Sequence, residues 1–188
     1  MADDLIRLAT ASFAAFVALI FLRAVLHKTA DLMRFEGIVA DYRLAPHWAL
    51  PVLRFLIPGL ELTCAVALAW AGSRLLGSLA AALLLIGYGA AMAVNLRRGR
   101  IEIDCGCGGA PERLSWVLVF RNLAFVALLV PSVLEFGEGL TSGAVLTSWA
   151  IAIVAFGIWG AAEQLLVNQA RMGADRRATL NWLIGAGS

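Results

Sequence analysis

Residues 75–96 read LLGSLAAALLLIGYGAAMAVNL and contain no charged side chain. A helix needs about 20 apolar residues to cross a hydrocarbon core roughly 30 Å thick. This stretch is therefore long enough and apolar enough to span a membrane. Residues 143–162 also lack a charged side chain and have a similar length. These two stretches indicate that lipid surrounds most of the protein.

Three further segments are predicted to span the membrane, at residues 8–26, 55–71 and 114–130. Each holds a single charge, and the first one, Arg23, is near enough to the segment end for its side chain to reach the interface. The first segment is expected to be a retained helix and not a signal peptide, since it follows acidic residues and lacks a cleavage pattern. The sequence therefore predicts an all-α polytopic bundle of about five transmembrane helices, a four-helix core plus one. Residues 1–188 are expected to form a single integral-membrane domain.

The composition excludes several classes of protein. Of 188 residues, 61% are hydrophobic and 15% are charged, with a mean hydropathy of +0.84, so an ordinary soluble enzyme is excluded. The net charge of +2 is small and dispersed, which gives no support to nucleic-acid binding. Two histidines and three cysteines are too few for a histidine-rich metal site or a disulfide-stapled secreted scaffold. The protein surface is expected to contact the lipid bilayer as its partner.

The connections between the spans differ in character. Residues 71–74 predict a tight turn, so the second and third spans should form an antiparallel hairpin. Residues 27–51 are more polar and are expected to contain an amphipathic helix on the membrane surface. Its apolar positions are Leu32, Phe35, Ile38, Val39 and Tyr42. Prolines at 46, 51 and 58 are expected to mark the entry to the second span.

Charge asymmetry predicts the orientation. Five spans put the first loop, the loop at residues 97–113 and the C-terminus on one side, which collects 13 of the 15 Lys and Arg residues. Cytoplasmic loops carry the excess of basic residues. We therefore expect the N-terminus outside and the loop at residues 97–113 inside.

The loop at residues 97–113 holds the sharpest motif, Ile103-Asp104-Cys105-Gly106-Cys107-Gly108-Gly109. Two cysteines at this spacing can close only a small, strained disulfide ring, which is easily reduced. Gly106 allows the backbone to turn, while Gly108 and Gly109 allow another chain to approach. Neighbouring arginines favour a thiolate and Asp104 opposes it. The favoured interpretation is a redox-active dithiol at Cys105 and Cys107.

Other interpretations of the cysteines stay open. The pair could be two inert loop cysteines, or Cu(I) ligands together with Cys64. Structural zinc needs four ligands, and no second cysteine pair or nearby histidine supplies them, so no metal is predicted. Cys64 follows Glu61 by one helical turn and is either a third thiol or a small apolar filler.

Ionisable residues at membrane depth form a second group of candidates. They are His27, Lys28 and Asp31 at the end of the first span, Glu61 in the second, and Arg121 with Asn122 in the fourth. A charge in lipid is costly, so each should face the bundle and find a partner. Glu61 is expected to pair with Arg121 or Lys28. The pair would either fix helix packing or form a polar pocket under the dithiol, which could tune its pKa or hold a polar head group.

The chain resembles the methylamine utilisation protein family MauE, within the MauE/DoxX group of redox-associated membrane proteins. The resemblance spans residues 27–122 and rests on the cysteine motif together with several weaker signatures. These are His27-Lys28 with Asp31, Tyr42-Arg43-Leu44, Pro58 with Glu61, Leu114-Ser115-Trp116 and Arg121-Asn122.

The resemblance implies a multi-pass protein of the bacterial cytoplasmic (inner) membrane that supports disulfide formation or maturation of exported proteins, methylamine dehydrogenase in the family. It also implies a membrane-anchored, thioredoxin-like partner such as MauD. Cys105 and Cys107 would exchange disulfides or electrons with that partner, as in a thiol–disulfide oxidoreductase. No cofactor is assigned. A quinone is a candidate electron acceptor, although one pair plus Cys64 cannot build a two-pair relay. The alternative is a non-catalytic scaffold or metal-handling subunit for a redox partner.

Overall fold

The computed structural model describes residues 2–106, 112–134 and 141–185, and nearly all of these are α-helical. Two short 3-10 helices and one isolated β-bridge complete the described secondary structure. The α-helices are α1 Ala2–Ala30, α2 Leu32–Tyr42, α3 Leu50–Ala69, α4 Arg74–Arg97, α5 Trp116–Leu134 and α6 Ser142–Gly185. The all-α prediction is confirmed.

Five helical segments in the described ranges are long and apolar enough to cross a membrane, as the sequence predicted. Their bounds are wider than predicted, most clearly in the second, where α3 begins at Leu50. Pro51 lies in the first turn of α3, where a missing backbone N–H leaves no hydrogen bond unmade. Pro58 lies inside α3 and is buried. Pro51 therefore marks the start of the helix, as the sequence predicted, whereas Pro58 lies within it and does not mark its entry.

The predicted hairpin of the second and third spans is confirmed as α3 and α4. A 3-10 turn at Ala71–Ser73 joins them, and the Ser73 hydroxyl donates to the Ala67 carbonyl at 3.0 Å. The two helices approach closely at Gly77, where an added Cβ would stand 2.7 Å from the backbone nitrogen of Leu68. Small residues permit such contacts between transmembrane helices.

The chain divides into two compact units, Met1–Ile153 and Val154–Ser188. In the first unit, α1 packs mainly on α3, and α4 mainly on α5. The ring of Phe125 on α5 packs against two rings of α1, with centroid separations of 6.2 Å to Phe13 and 6.1 Å to Phe16. In the second unit, the described residues continue α6, and Trp159 Nε1 donates to Glu163 Oε1 at 2.9 Å. The single membrane domain stays a prediction.

The predicted amphipathic helix is present as α2. Asp31 caps its N-terminus by accepting a hydrogen bond from the Arg34 amide at 2.9 Å. Arg54 of α3 pairs with Glu36 at 2.8 Å, so α2 is fastened alongside the bundle. Phe35 on its apolar face is buried. This face therefore packs at least partly on protein, whereas the sequence alone suggested the membrane surface.

Candidate functional site

A buried ion pair lies between α1 and α3. Lys28 Nζ donates to Glu61 Oε1, and the side chains are 5% and 1% exposed. The hydroxyl of Tyr88, on α4, donates to the same oxygen at 2.8 Å. All three residues belong to helices that can span the membrane. Three helices thus converge on one carboxylate oxygen, which compensates the cost of placing charges away from water.

Two aromatic rings surround the ammonium group of this pair. Lys28 Nζ lies 5.2 Å from the ring centroid of Tyr88 and 5.2 Å from that of Phe35. A cation at this distance is attracted by the ring quadrupole, and more strongly where water is excluded. The rings therefore add two cation–π contacts to the salt bridge that Lys28 makes with Glu61.

The second oxygen of Glu61, Oε2, is buried and has no hydrogen-bond partner among the described residues. A buried acceptor left unsatisfied costs about 1–3 kcal/mol. The ion pair therefore retains one buried acceptor atom without a donor among the described residues.

The cysteine motif follows α4 in a short antiparallel pairing. Asp104 and Arg113 form a β-bridge, the Cys105 amide donates to the Glu112 carbonyl at 2.9 Å, and the Leu114 amide donates to the Ile103 carbonyl at 3.2 Å. Beneath this pairing lies a buried apolar cluster, against which Cys105 packs half-buried. The cluster consists of Met92, Ile103, Leu114, Leu118 and Val119.

Contacts from α2 hold the other side of the motif. The Tyr42 hydroxyl donates to the Cys105 carbonyl at 3.2 Å, and Arg34 lies 3.4 Å from the carboxylate of Asp104. Asp104 also accepts a hydrogen bond from the Gly106 amide at 3.2 Å. The first connecting segment and the cysteine loop therefore meet at the same end of the unit, as the five-span topology predicted.

Glycine is required at the centre of the motif. Gly106 has φ +68°, a conformation that L side chains adopt at a cost. A Cβ added to it would stand 3.2 Å from Ile38 Cγ2 and 3.9 Å from Phe35 Cε2. The turn therefore rests directly on α2.

Phe35 lies between this turn and the ion pair, since its Cε2 atom is 3.9 Å from where a Cβ on Gly106 would stand and its ring faces Lys28. The candidate site consists of the Cys105–Gly106 turn, the Phe35 ring below it, and the Lys28–Glu61–Tyr88 cluster.

A family model matches the chain over the region that contains this site. The model described as methylamine utilisation protein MauE covers residues 6–135, more than half of the chain. The chain belongs to the MauE family. No solved structure matches the chain.

Two MauE relatives illustrate the extent of the similarity. The methylamine utilization protein MauE of Paracoccus denitrificans is 39% identical over 131 residues, which cover 68% of this chain and 70% of the relative. That of Methylophilus methylotrophus is 36% identical over 156 residues, covering 80% of this chain and 82% of the relative. Family membership and the five apolar helices identify a multi-pass membrane protein of the methylamine utilisation family MauE.

In this MauE-family protein, Glu61 takes Lys28 as its partner, which was one of the two predicted pairings. Arg121 instead lies 3.7 Å from the carboxylate of Glu112 in the cysteine loop. Asn122 is buried and donates to the Leu118 carbonyl at 3.1 Å within its own helix. The fourth span therefore contributes an ion pair to the loop.

The other predicted site residues fall into three groups. His27 is exposed at the end of α1, and Asp31 serves as the cap of α2. Cys64 is 3% exposed in α3, one turn beyond Glu61, with a thiol that takes no part in a disulfide. Cys107, Gly108 and Gly109 lie outside the described residues.

Sequence analysis of the MauE-family chain missed Tyr88 as a member of the site and gave Phe35 only a packing role. The sequence did offer one indication of its role, since Tyr88 carries the one phenolic hydroxyl in a span without charged side chains. Phe35 gave no such signal, because its contact with Lys28 depends on α2 folding back beside α3. In the described ranges, no three His, Cys, Asp or Glu side chains form a group that could hold a metal ion. The prediction of no metal stays a prediction.

Proposed function

We propose that this protein is a thiol–disulfide redox protein of the bacterial inner membrane, with Cys105 and Cys107 as its reactive pair. Its role in methylamine utilisation would be to support disulfide formation or maturation of an exported protein, such as methylamine dehydrogenase. The observation that carries the proposal is the position of Cys105. It is half-buried, adjoins a glycine with positive φ, and is fixed through its backbone to both α2 and the residues before α5.

The proposed reaction is an exchange with a membrane-anchored, thioredoxin-like partner, similar to MauD. One cysteine thiolate attacks the partner's disulfide, which forms a mixed disulfide and releases one partner thiolate. The second cysteine thiolate then attacks the mixed disulfide, which closes the Cys105–Cys107 bond and releases the partner as a dithiol. Two electrons pass from this pair to the partner, and the reverse sequence of steps returns them.

Charged side chains of both signs surround the turn that carries the Cys105 thiol. Arg34 and Asp104 form a partly exposed pair beside Cys105, and Arg113 pairs with Glu102 at 3.0 Å. The positive charge that could stabilise a thiolate is therefore largely balanced by carboxylates. We expect the reactivity of Cys105 to depend on how the turn is held more than on one dominant cation.

Trapping in cells tests the proposal. Cells that express the full-length protein are quenched with acid and alkylated, and the redox state of each cysteine is read by mass spectrometry. A Cys105–Cys107 disulfide that forms and disappears with the redox state of the partner supports the proposal. Cys105→Ser and Cys107→Ser should abolish the cycling, whereas the matched control Cys64→Ser should preserve it. A pair that never forms a disulfide in any state contradicts the proposal.

The second candidate function is that of a non-catalytic scaffold or metal-handling subunit for a redox partner. The observation in its favour is that the loop is fastened by main-chain hydrogen bonds and ion pairs, as a structural element would be. Under this alternative, Cys105→Ser and Cys107→Ser preserve maturation of the exported protein. A metal-handling role additionally requires copper or zinc to copurify in proportion to the two thiols.

The side on which the dithiol works is a separate proposal. Charge counting predicts the loop on the cytoplasmic side, while the proposed beneficiaries are exported. Both statements hold if the pair reaches different sides in different states and passes electrons across the bilayer. An impermeant thiol reagent applied to intact cells tests this. The cytoplasmic orientation would be refuted by two results together. Cys105 would be labelled rapidly from outside whenever it is reduced, and the C-terminal tail would also be accessible from outside.

A further inference from the structure

The side chain of Arg100 joins the C-terminal ends of α2 and α4. Its Nη1 group donates to the Tyr42 carbonyl at 3.4 Å and to Asn95 Oδ1 at 3.0 Å. Tyr42 is the last residue of α2, and the last carbonyl groups of a helix have no partner within that helix. A basic side chain that bonds to such a carbonyl also interacts favourably with the helix dipole. Arg100 therefore caps α2 from outside that helix.

Arg100 is itself anchored to the end of α4. Its backbone amide donates to the Asn95 carbonyl at 3.0 Å, and the Asn95 side chain is 0% exposed. Asn95 Nδ2 donates to the Ala91 carbonyl at 3.1 Å, while Oδ1 accepts from Arg100. Both ends of this buried side-chain amide are therefore hydrogen-bonded, which makes Asn95 a fixed support for the guanidinium group.

The side chain of Tyr42 holds the cysteine. Its hydroxyl donates to the Cys105 carbonyl at 3.2 Å. Tyr42 and Cys105 both pack against the apolar cluster beneath the loop, where Cys105 is half-buried. A series of hydrogen-bonded residues thus runs from Asn95 through Arg100 and Tyr42 to the backbone of Cys105.

We infer that Arg100, acting through Tyr42, keeps Cys105 packed against the apolar cluster and so sets the rate at which its thiol reacts. The inference rests on the proposed function, in which this thiol is a reacting group. Arg100 and Tyr42 are positioning residues, since they act through the backbone of Cys105. Hydrogen bonds that exist only in the packed turn stabilise it against local opening, so their loss should increase the fraction of molecules with an accessible thiol.

The rate of alkylation of the fully reduced protein measures this fraction. Purified full-length protein in detergent is treated with iodoacetamide over a range of pH, and mass spectrometry follows the modification of Cys105 with time. Tyr42→Phe, which removes the hydroxyl and keeps the ring, should raise the plateau rate at high pH about fivefold, the scale of one lost hydrogen bond. Arg100→Ala should raise it by a similar factor. Adding Arg100→Ala to Tyr42→Phe should give little further increase, because both changes affect one contact.

Two controls separate positioning from other effects. Arg98→Ala removes the same charge from an exposed arginine in the same loop. Loss of charge can move the midpoint of the pH profile in either arginine variant, whereas only Arg100→Ala should raise the plateau rate. Cys64, which is 3% exposed in α3, is the internal control for general loosening, and its alkylation rate should be the same in every variant.

Several results would overturn the inference. They are plateau rates equal to wild type in Tyr42→Phe and Arg100→Ala, an equal increase in Arg98→Ala, or a parallel increase at Cys64. Single effects that multiply in the double variant would also overturn it, because Arg100 would then not act through Tyr42. The proposed function fails separately: the expected rates in a protein that never cycles a disulfide in cells refute the function alone. Unchanged rates in a protein that does cycle refute the inference alone.

Discussion

Tyr88 and Glu61 meet inside the helix bundle, where the tyrosine hydroxyl donates to Oε1 of the carboxylate at 2.8 Å. The same oxygen accepts from Lys28. One oxygen of Glu61 thus takes two donors, while Oε2 has none among the residues that the structure describes. Both donors therefore act on a single oxygen of the carboxylate. We expect the free energy of unfolding to fall markedly when either donor is removed.

Lys28→Met should destabilise the protein markedly. The substitution leaves Glu61 buried without its counter-charge, and breaking a buried pair in this way costs about 3–5 kcal/mol. Thermal unfolding of the detergent-solubilised protein measures the loss. The matched control is Arg54→Met, which breaks the partly exposed pair with Glu36 and should cost at most about 1 kcal/mol. Equal losses in the two variants would show that Lys28 does not carry a buried charge.

Tyr88→Phe should reduce stability by a smaller amount. It deletes one hydrogen bond to a charged group, worth about 1.5–3 kcal/mol, and keeps the ring that faces Lys28. Combining it with Glu61→Gln should give less than the sum of the two single losses, because both changes affect one interaction. Additive losses in this double-mutant cycle would count against the hydrogen bond.

Gly106→Ala should disturb the cysteine turn more than Gly99→Ala does. Both glycines have positive φ, +68° and +71°, so both substitutions incur a backbone cost of about 1–2 kcal/mol. Only at Gly106 does the new methyl group meet another side chain, Ile38, at 3.2 Å. We expect faster alkylation of reduced Cys105 in Gly106→Ala and an unchanged rate in Gly99→Ala. An identical rate in both variants would indicate that the turn does not rest on α2.

Gly77→Ala should weaken the hairpin of α3 and α4. Its methyl group would stand 2.7 Å from backbone atoms of Ala67 and Leu68, so the helices must separate, at a cost of about 1–3 kcal/mol or more. Gly87→Ala, in the same helix with nothing within 4 Å, should be neutral or slightly stabilising, by up to about 1 kcal/mol. Thermal unfolding of both variants measures the difference, and a neutral Gly77→Ala would refute the close contact.

The number and class of the helices could be predicted because each span is a long run with at most one charge. Because the spans hold so few charges, the sequence also limited the candidate partners of Glu61 to Lys28 and Arg121. Choosing between them was beyond the sequence, because the choice depends on how the helices pack. The structure brings Glu112 to Arg121 through the loop pairing, which leaves Lys28 for Glu61.

The contacts between the cysteine turn and α2 could not be predicted either. Helical spacing indicated which face of α2 is apolar, and this was correct for Phe35. The spacing does not say what that face covers. The packing of Gly106 on α2 accompanies the β-bridge between Asp104 and Arg113, a pairing that helical spacing does not predict.

The backbone of Cys105 is engaged on both sides, since its amide donates to Glu112 and its carbonyl accepts from Tyr42. The sulfur atom takes no part in either bond, so a serine at this position can keep the same loop shape. Different substitutions can therefore test the thiol of Cys105 and the conformation of the loop separately. A phenotype of Cys105→Ser then reports on the loss of the thiol, whereas a phenotype of Tyr42→Phe reports on the conformation of the turn.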